Sequence, residues 1–394
     1  MIDRTILDRL NAPTCAERLE ALESLLPAAK FPPADPRMIN NHIHTSYSFS
    51  PYSPTAAVYA ARAEGLCTAG IVDHDSIAGA FEFIEAGRIA GIPTTVGIET
   101  RVSMAGTAFE ALRTNNPDQV GVSYMAMHGV PHARIEDVQR FFAPVRERRN
   151  ARNRRMVQCL DDRLAECGTG ISLDFDRDVL PLSMAAEGGT VTERHLCLAF
   201  ARAMMARAGR GAPLVDLLAS LGTVLSDAQV RQLSDAASPF YDYDVLNVLK
   251  SAFLPQVYIA ATDECPPLGD LVAFAKRVGA VLCYAYLGDV TASVTGDKKA
   301  QKFEDDNLDL LFRTLRERGV RAITYMPTRN SAAQLDRLRA LCARNSMFEV
   351  SGEDINSPRQ SFRIEAMKDP RFSNLIESTW ALIDHENGKR SLLR

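Results

Sequence analysis

Two histidines separated by a single residue, at the end of a short apolar run, are the strongest chemical signal in this sequence. His42 and His44 follow the apolar pair Met38-Ile39. On a β-strand, side chains two residues apart project from the same face, so both imidazoles would point to one side. Neutral imidazole is a good ligand for borderline divalent metals. The pair therefore predicts a metal site.

Two further groups of potential ligands follow similar apolar runs. Asp73, His74 and Asp75 come directly after one run, and Glu99 comes after the next. Three successive strand-like segments thus each end in a metal-ligand residue type, as a mononuclear or polynuclear site at a barrel mouth requires. Glu99 suits a bridging role because its two oxygens can bind two ions. Asp73 could orient a ligand histidine from behind, or could simply end its strand.

The segments around these residues alternate between strand and helix patterns. Strands are expected at residues 38–43, 68–72, 94–98 and 120–127, with helices at 53–64 and 76–90. After a mainly helical stretch, strands are expected again at 280–286, 322–325 and 347–350, between helices at 268–278, 305–319, 331–345 and 372–385. This rhythm predicts parallel strands with helices outside them.

The pattern divides the chain into four parts. We expect an N-terminal helical extension at 1–36, a first barrel part at 37–133, a helical insertion that caps or flanks the barrel mouth at 134–255, and a second barrel part with a C-terminal helix at 256–394.

The composition restricts the class of protein. The chain has 394 residues, of which 46% are hydrophobic, and a formal net charge of −4, so it has no global reason to bind nucleic acid or an anionic membrane. No apolar run reaches transmembrane length, and the N-terminus lacks an apolar signal core. The eight cysteines are scattered, with no closely spaced pair, which favours reduced thiols in a cytoplasmic protein.

The ligand motifs resemble the first blocks of the polymerase-and-histidinol-phosphatase (PHP) family, in its stand-alone form with a helical insertion. The matching segments are Asn41–Thr45, Val72–Asp75, Gly97–Glu99, an arginine-rich helix from Arg146, Glu193–Leu196 and Ser351–Asn356. The resemblance implies a distorted (β/α)7 TIM-like barrel with a mainly helical insertion. It also implies one to three divalent metal ions (Mn, Zn or Fe) and hydrolysis of phosphate esters.

Carried over position by position, the resemblance assigns the metal ligands and catalytic centre to His42, His44, His74, Glu99 and Asp354. Four positions depart from the family pattern. Phe49 stands near an expected Asp, Tyr124 and Tyr286 stand where His is expected, and Asn356 replaces the last His. His128 could substitute for Tyr124, and Asn356 could remain a ligand. These changes imply fewer metals, a weaker third site or a changed reaction.

Several residues are candidates for contact with the substrate. Arginines of the 146–155 helix, Arg148 among them, could bind phosphate through their planar forks, although such a charge run is usually a solvated helix face. Arg194, His195 and Tyr286 are the other candidates, while Thr192 with the residues after it could equally form only a helix cap.

Three functions remain open at this stage. The first is hydrolysis of a small phosphorylated metabolite or nucleotide by a metal-bound hydroxide. The second is a metal-dependent lyase, isomerase or amide hydrolase on the same barrel, suggested by Tyr124 and Tyr286 at ligand positions. The third is a degenerate barrel that serves as a binding module.

Overall fold

The computed structural model describes residues 2–290 and 303–392, and these residues contain one seven-stranded sheet. The strands lie side by side in chain order: β1 (Asp35–Ile43), β2 (Leu66–His74), β3 (Thr94–Ser103), β4 (Val122–His128), β5 (Val281–Tyr286), β6 (Ala322–Tyr325) and β7 (Phe348–Ser351). A parallel bridge between Ile43 and Ile355, just beyond β7, brings the two edges together. The fold is therefore the expected distorted, nearly closed TIM-like barrel.

One strand runs against the expected direction. β1, β2 and β3 are parallel, as are β5, β6 and β7, but β4 is antiparallel to both of its neighbours. The prediction of uniformly parallel strands was wrong at this point. A parallel connection needs a crossover, usually a helix. Residues 104–121 supply none, and the chain returns directly, with Ser103 paired to Val122.

Thirteen α-helices occur among the described residues. They are α1 (Arg4–Leu10), α2 (Cys15–Leu25), α3 (Pro54–Ala63), α4 (Ala80–Ala90), α5 (Ile135–Glu166), α6 (Glu193–Ala208), α7 (Ala212–Ser220), α8 (Asp227–Ser234), α9 (Tyr241–Val248), α10 (Leu268–Val278), α11 (Leu308–Glu317), α12 (Ala332–Asn345) and α13 (Ser373–Glu386). Local signals set several ends: Ser53 caps α3, Pro54 occupies its first turn, and Gly91 ends α4 in the left-handed conformation. The short helices α1, α7 and α8 lie in the two segments predicted to be helical, 1–36 and 134–255, but their individual bounds were not predicted.

The long helix α5 contributes to two separate hydrophobic cores. Its first half contributes Ile135, Val138 and Phe142 to the barrel core. Its second half contributes Met156 and Leu160 to a separate core inside the insertion. Because one helix belongs to both cores, it fixes the insertion to the barrel, and our boundary at residue 134 stays a prediction.

The N-terminal helices pack on the outside of the barrel. Arg18 of α2 forms a buried ion pair with Glu82 of α4 at 2.6 Å. All eight cysteines lie in the described residues and are free thiols, as the sequence indicated. None of the helices that the structure describes is both long and apolar enough to cross a bilayer.

Candidate metal centre and adjoining cavities

The predicted ligands meet at one rim of the barrel. His42 lies near the end of β1, His44 follows that strand, and His74 ends β2. Glu99 of β3 pairs in register with His74, and Asp354 follows β7. The order of the strands, together with the closure between Ile43 and Ile355, brings the two ends of the sheet to this point.

Glu99 lies at the centre of the histidines. Its Oε2 is 3.5 Å from His42 Nε2, 3.7 Å from His44 Nε2 and 3.2 Å from His74 Nδ1. On the other side, Asp354 Oδ1 is 3.1 Å from His44 Nε2. The side chains form two overlapping groups, His42–His44–Asp354 and His44–His74–Glu99, in each of which one atom per residue lies within 4.8 Å of the others.

These groups fit a divalent metal ion. Nε2 of His42 is buried and has no hydrogen-bond partner among the described residues. A buried polar atom without a partner is costly, and a cation would satisfy it. Three imidazoles and two carboxylates are donors that first-row divalent metals accept.

A hydrogen-bonded chain fixes the tautomer of His44. Ser48 Oγ lies 3.2 Å from His44 Nδ1 and donates its own proton to Asp73 Oδ1 at 2.6 Å. The serine oxygen is therefore free to accept the Nδ1 proton, which leaves the lone pair of Nε2 directed at the site. Asp73 also accepts from the backbone N–H and hydroxyl of Thr45. Asp73 thus acts on His44 through a serine.

The charges of the site stabilise one another. Burial lowers the pKa of His44, but Asp354 and Glu99 outweigh it and raise that pKa above its ordinary value. Burial raises the pKa of Asp354, but His44 and His42 outweigh it and hold the pKa well below the usual range. Burial, together with neighbouring His44, lowers the pKa of His74, which keeps its ring neutral. Neutral histidine and ionised carboxylate are the forms that bind metals.

His128 lies deeper in the barrel than the other predicted ligands. Because β4 is antiparallel, its last residue pairs near the level of Gly97, below Glu99, and its ring centroid is 6.4 Å from that of His42. Burial and His42 lower the pKa of His128 to about 3. His128 is in neither ligand group. A ligand role for it stays a prediction.

The altered positions occupy different places. Asn356 Nδ2 donates to Asp354 Oδ1 at 2.6 Å, so its amide orients that carboxylate. Tyr124 faces the barrel interior, its ring 6.1 Å from that of His74. Side chains alternate along β5, so Ala285 faces the site and Tyr286 points outward. The hydroxyl of Tyr286 donates to Asp305 at 2.6 Å. The structure does not bring Tyr286 to the metal ligands.

Two cavities open beside the ligands, with volumes of about 700 Å³ and about 370 Å³. Five residues line both: His74, Tyr124, Arg194, Lys250 and Asn356. The larger cavity continues between the barrel and the insertion, where Phe49, Leu254 and Tyr258 form an apolar wall. Lys250 was missed by sequence reasoning, because a lone lysine in a helical pattern carries no signal of its own.

The other predicted substrate residues are placed as follows. Arg194 lines both cavities. Arg148 is on the outer face of α5 and donates to the backbone oxygen of Asp263 at 3.1 Å. His195 is buried, accepts from the Thr192 N–H at 2.9 Å and packs edge-on against Phe49. His195 therefore completes the N-terminal cap of α6, and neither it nor Arg148 lines the two cavities.

Three neighbouring arginines, two of which (Arg101 and Arg149) line the larger cavity, are paired with acids. Arg101 of β3 with Arg149 and Arg152 of α5 surround Glu193, at 3.2, 2.6 and 2.5 Å respectively. Glu264 also pairs with Arg101 and Arg152, and Asp75 pairs with Arg149; all six side chains are largely buried. This network joins the barrel to the insertion.

Comparison with known proteins supports the fold. No family model and no curated protein sequence matches the chain. Among solved structures, it is similar to a candidate metal-dependent phosphoesterase from Bifidobacterium adolescentis, with a TM-score of 0.53, 20% identity, and coverage of 85% of this chain and 96% of that chain. It is also similar to an amidohydrolase from Chromobacterium violaceum with bound sulfate and no metal, with a TM-score of 0.53, 18% identity, and coverage of 82% and 89%. At these identities the similarity establishes the fold alone.

Proposed function

We propose that this protein is a metal-dependent hydrolase of the phosphoesterase class that acts on a small phosphorylated metabolite or nucleotide. The observation that carries the proposal is the convergence of three histidines and two carboxylates at a barrel rim that opens into cavities lined by Arg194 and Lys250. The similarity to a candidate metal-dependent phosphoesterase supports the same assignment.

His42, His44, His74, Glu99 and Asp354 would hold the metal. A divalent ion bound there would polarise a phosphoryl oxygen and lower the pKa of a water molecule enough for attack on phosphorus near neutral pH. The lowered pKa values of Asp354 and His74 favour the ionised carboxylate and the neutral ring that bind metals, and the Asp73–Ser48 chain directs the lone pair of His44 Nε2 towards the site.

The cavity residues would bind the ester. Arg194 and Lys250 reach both cavities and would neutralise phosphate oxygens, the arginine through two parallel hydrogen bonds. Burial raises the pKa of Tyr124 above its ordinary value, so its hydroxyl stays protonated and can donate a hydrogen bond to a substrate oxygen. The apolar wall at Leu254 and Tyr258 would exclude water from the ester.

Hydrolysis of a carbonyl substrate is the second candidate. A protonated Tyr124 beside the metal ligands could donate to a carbonyl oxygen as well as to a phosphoryl oxygen, and one structural neighbour is an amidohydrolase. The lyase alternative loses part of its basis, because the hydroxyl of Tyr286 is bonded to Asp305.

A substrate panel separates these functions. The purified protein, loaded with Mn²⁺, Zn²⁺ or Fe²⁺, is assayed on phosphate monoesters and diesters and, in parallel, on amides. We expect hydrolysis of a phosphate ester that Asp354→Asn abolishes and that Asp336→Asn, at an exposed acid on α12, leaves unchanged. Turnover of amides alone would favour the second candidate. Absence of stoichiometric metal in the wild-type protein would favour a non-catalytic binding module.

A further inference from the structure

Asp75 occupies an unusual position directly after His74. Its backbone is in the left-handed region, with φ of 51°, and residues other than glycine rarely adopt this conformation. Asp and Asn tolerate this conformation better than other residues. The simplest explanation is therefore that Asp75 is present only to allow the turn that follows β2.

The contacts of Asp75 go further than a turn requires. Its N–H donates to the backbone oxygen of Glu99 at 2.8 Å, and Thr100 donates to its Oδ1 at 2.6 Å. Asp75 thereby fastens the end of β2, which carries His74, to β3, which carries Glu99. These two side chains approach to 3.2 Å.

The insertion helix holds Asp75 from the other side. Arg149 donates to Asp75 Oδ2 at 2.5 Å, and Arg146, one helical turn earlier, donates to its backbone oxygen at 2.9 Å. Arg149 is in turn fixed by Glu193 of α6. Asp75 is therefore held at both its carboxylate and its carbonyl by one face of α5.

We infer that Asp75 is a positioning residue, through which the helical insertion sets the geometry of His74 and Glu99 at the metal centre. The inference rests on the proposed metal site and adds a link to it: the insertion acts on the ligands through Arg146, Arg149 and Asp75, besides forming a wall of the cavity. Loss of the link would loosen the ligands without removing any of them.

Two substitutions at Asp75 separate the positioning role from the turn. Asn and Gly both accept a positive φ, so Asp75→Asn and Asp75→Gly keep the turn. Asp75→Asn replaces the charged acceptor of Arg149, and Asp75→Gly removes it together with the contact to Thr100. Glu264→Gln is the matched control, because Glu264 is buried in the same arginine network but contacts Arg101 and Arg152 and not Asp75.

The measurements are the dissociation constants for Mn²⁺ and Co²⁺, the visible spectrum of bound Co²⁺ and the unfolding midpoint of the metal-free protein. We expect both Asp75 variants to weaken metal binding about 10- to 100-fold and to change the Co²⁺ spectrum. Glu264→Gln should lower the unfolding midpoint but leave metal affinity and spectrum as in the wild type.

Each other outcome overturns a defined part of the reasoning. Wild-type affinity in both Asp75 variants would show that the residue serves the turn alone. Equal weakening by Glu264→Gln would show that general loosening, rather than the contact with Asp75, alters the ligands. If the wild-type protein binds neither ion, the proposed metal centre itself fails, and the link with it.

Discussion

Replacement of Glu193 by glutamine tests whether the buried ion network holds the insertion on the barrel. The carboxylate accepts hydrogen bonds from Arg101 of the barrel and from Arg149 and Arg152 of α5. Glu193→Gln keeps the size of the side chain and removes the charge that these three guanidinium groups share. The insertion should then unfold more easily than the barrel.

The size of the effect follows from burial. Only 15% of the Glu193 side chain is exposed, so water screens the interaction weakly. Removal of one partner from a buried ion pair costs about 3–5 kcal/mol in the free energy of unfolding. Each arginine keeps a second carboxylate partner, Asp75 or Glu264, and we therefore expect a loss of about 3 kcal/mol. With a denaturant slope of about 1–3 kcal/mol/M, the urea midpoint should fall by about 1–3 M.

Two optical signals distinguish the parts of the chain. The single tryptophan, Trp380, is on α13, which packs against the barrel strands, so its fluorescence reports on the barrel. Circular dichroism reports on all helices, including those of the insertion. Glu193→Gln should shift part of the circular dichroism transition to lower urea concentration, while the fluorescence transition shifts less. Asp176→Asn, which removes an exposed ion pair with Arg154 of α5, should move neither.

The effect should depend on pH in a defined direction. Burial raises the pKa of Glu193, but Arg149, Arg101 and Arg152 outweigh it and hold the pKa well below its ordinary value of 4.5. The stabilisation is therefore present above pH 4.5 and is lost as the pH falls through the pKa of the folded state. The difference between wild type and variant should shrink in acid. A loss under 1 kcal/mol at neutral pH, or equal shifts of both signals, would refute the reasoning.

Three further substitutions test the site and its support. Asp73→Asn should weaken metal binding by about 10- to 100-fold, because it weakens the hydrogen bonds through Ser48 that orient His44. Calorimetry measures this, and an unchanged affinity would contradict it. Gly352→Ala should lower the free energy of unfolding by about 1–3 kcal/mol and should also lower metal affinity, because the added Cβ would lie 2.5 Å from His42 Cβ. An unfolding temperature equal to that of the wild type would argue against this close approach. Glu82→Gln should cost about 3 kcal/mol in urea unfolding without altering metal affinity, since it leaves the buried guanidinium of Arg18 without its carboxylate partner.

The strand and helix pattern could be predicted because it is encoded locally. Alternation of apolar runs, the Ser53-Pro54 start and the Gly91 end fix elements over a few residues. The direction of β4 could not be predicted, because residues 104–121 show only that a connection exists and not whether it crosses the sheet. That direction decides the depth of His128 and brings Tyr124 to the rim.

The sequence by itself determined that imidazoles and carboxylates follow successive strands, since residue spacing and chain order suffice to place them at one rim. Only the tertiary structure decided which polar groups remain available to a ligand. Arg149 belongs to an arginine-rich run, yet it is neutralised by Asp75 and Glu193, which are distant from it in sequence. Tyr286 is turned away by strand alternation. Pairing of distant charges depends on packing, which a local pattern does not contain.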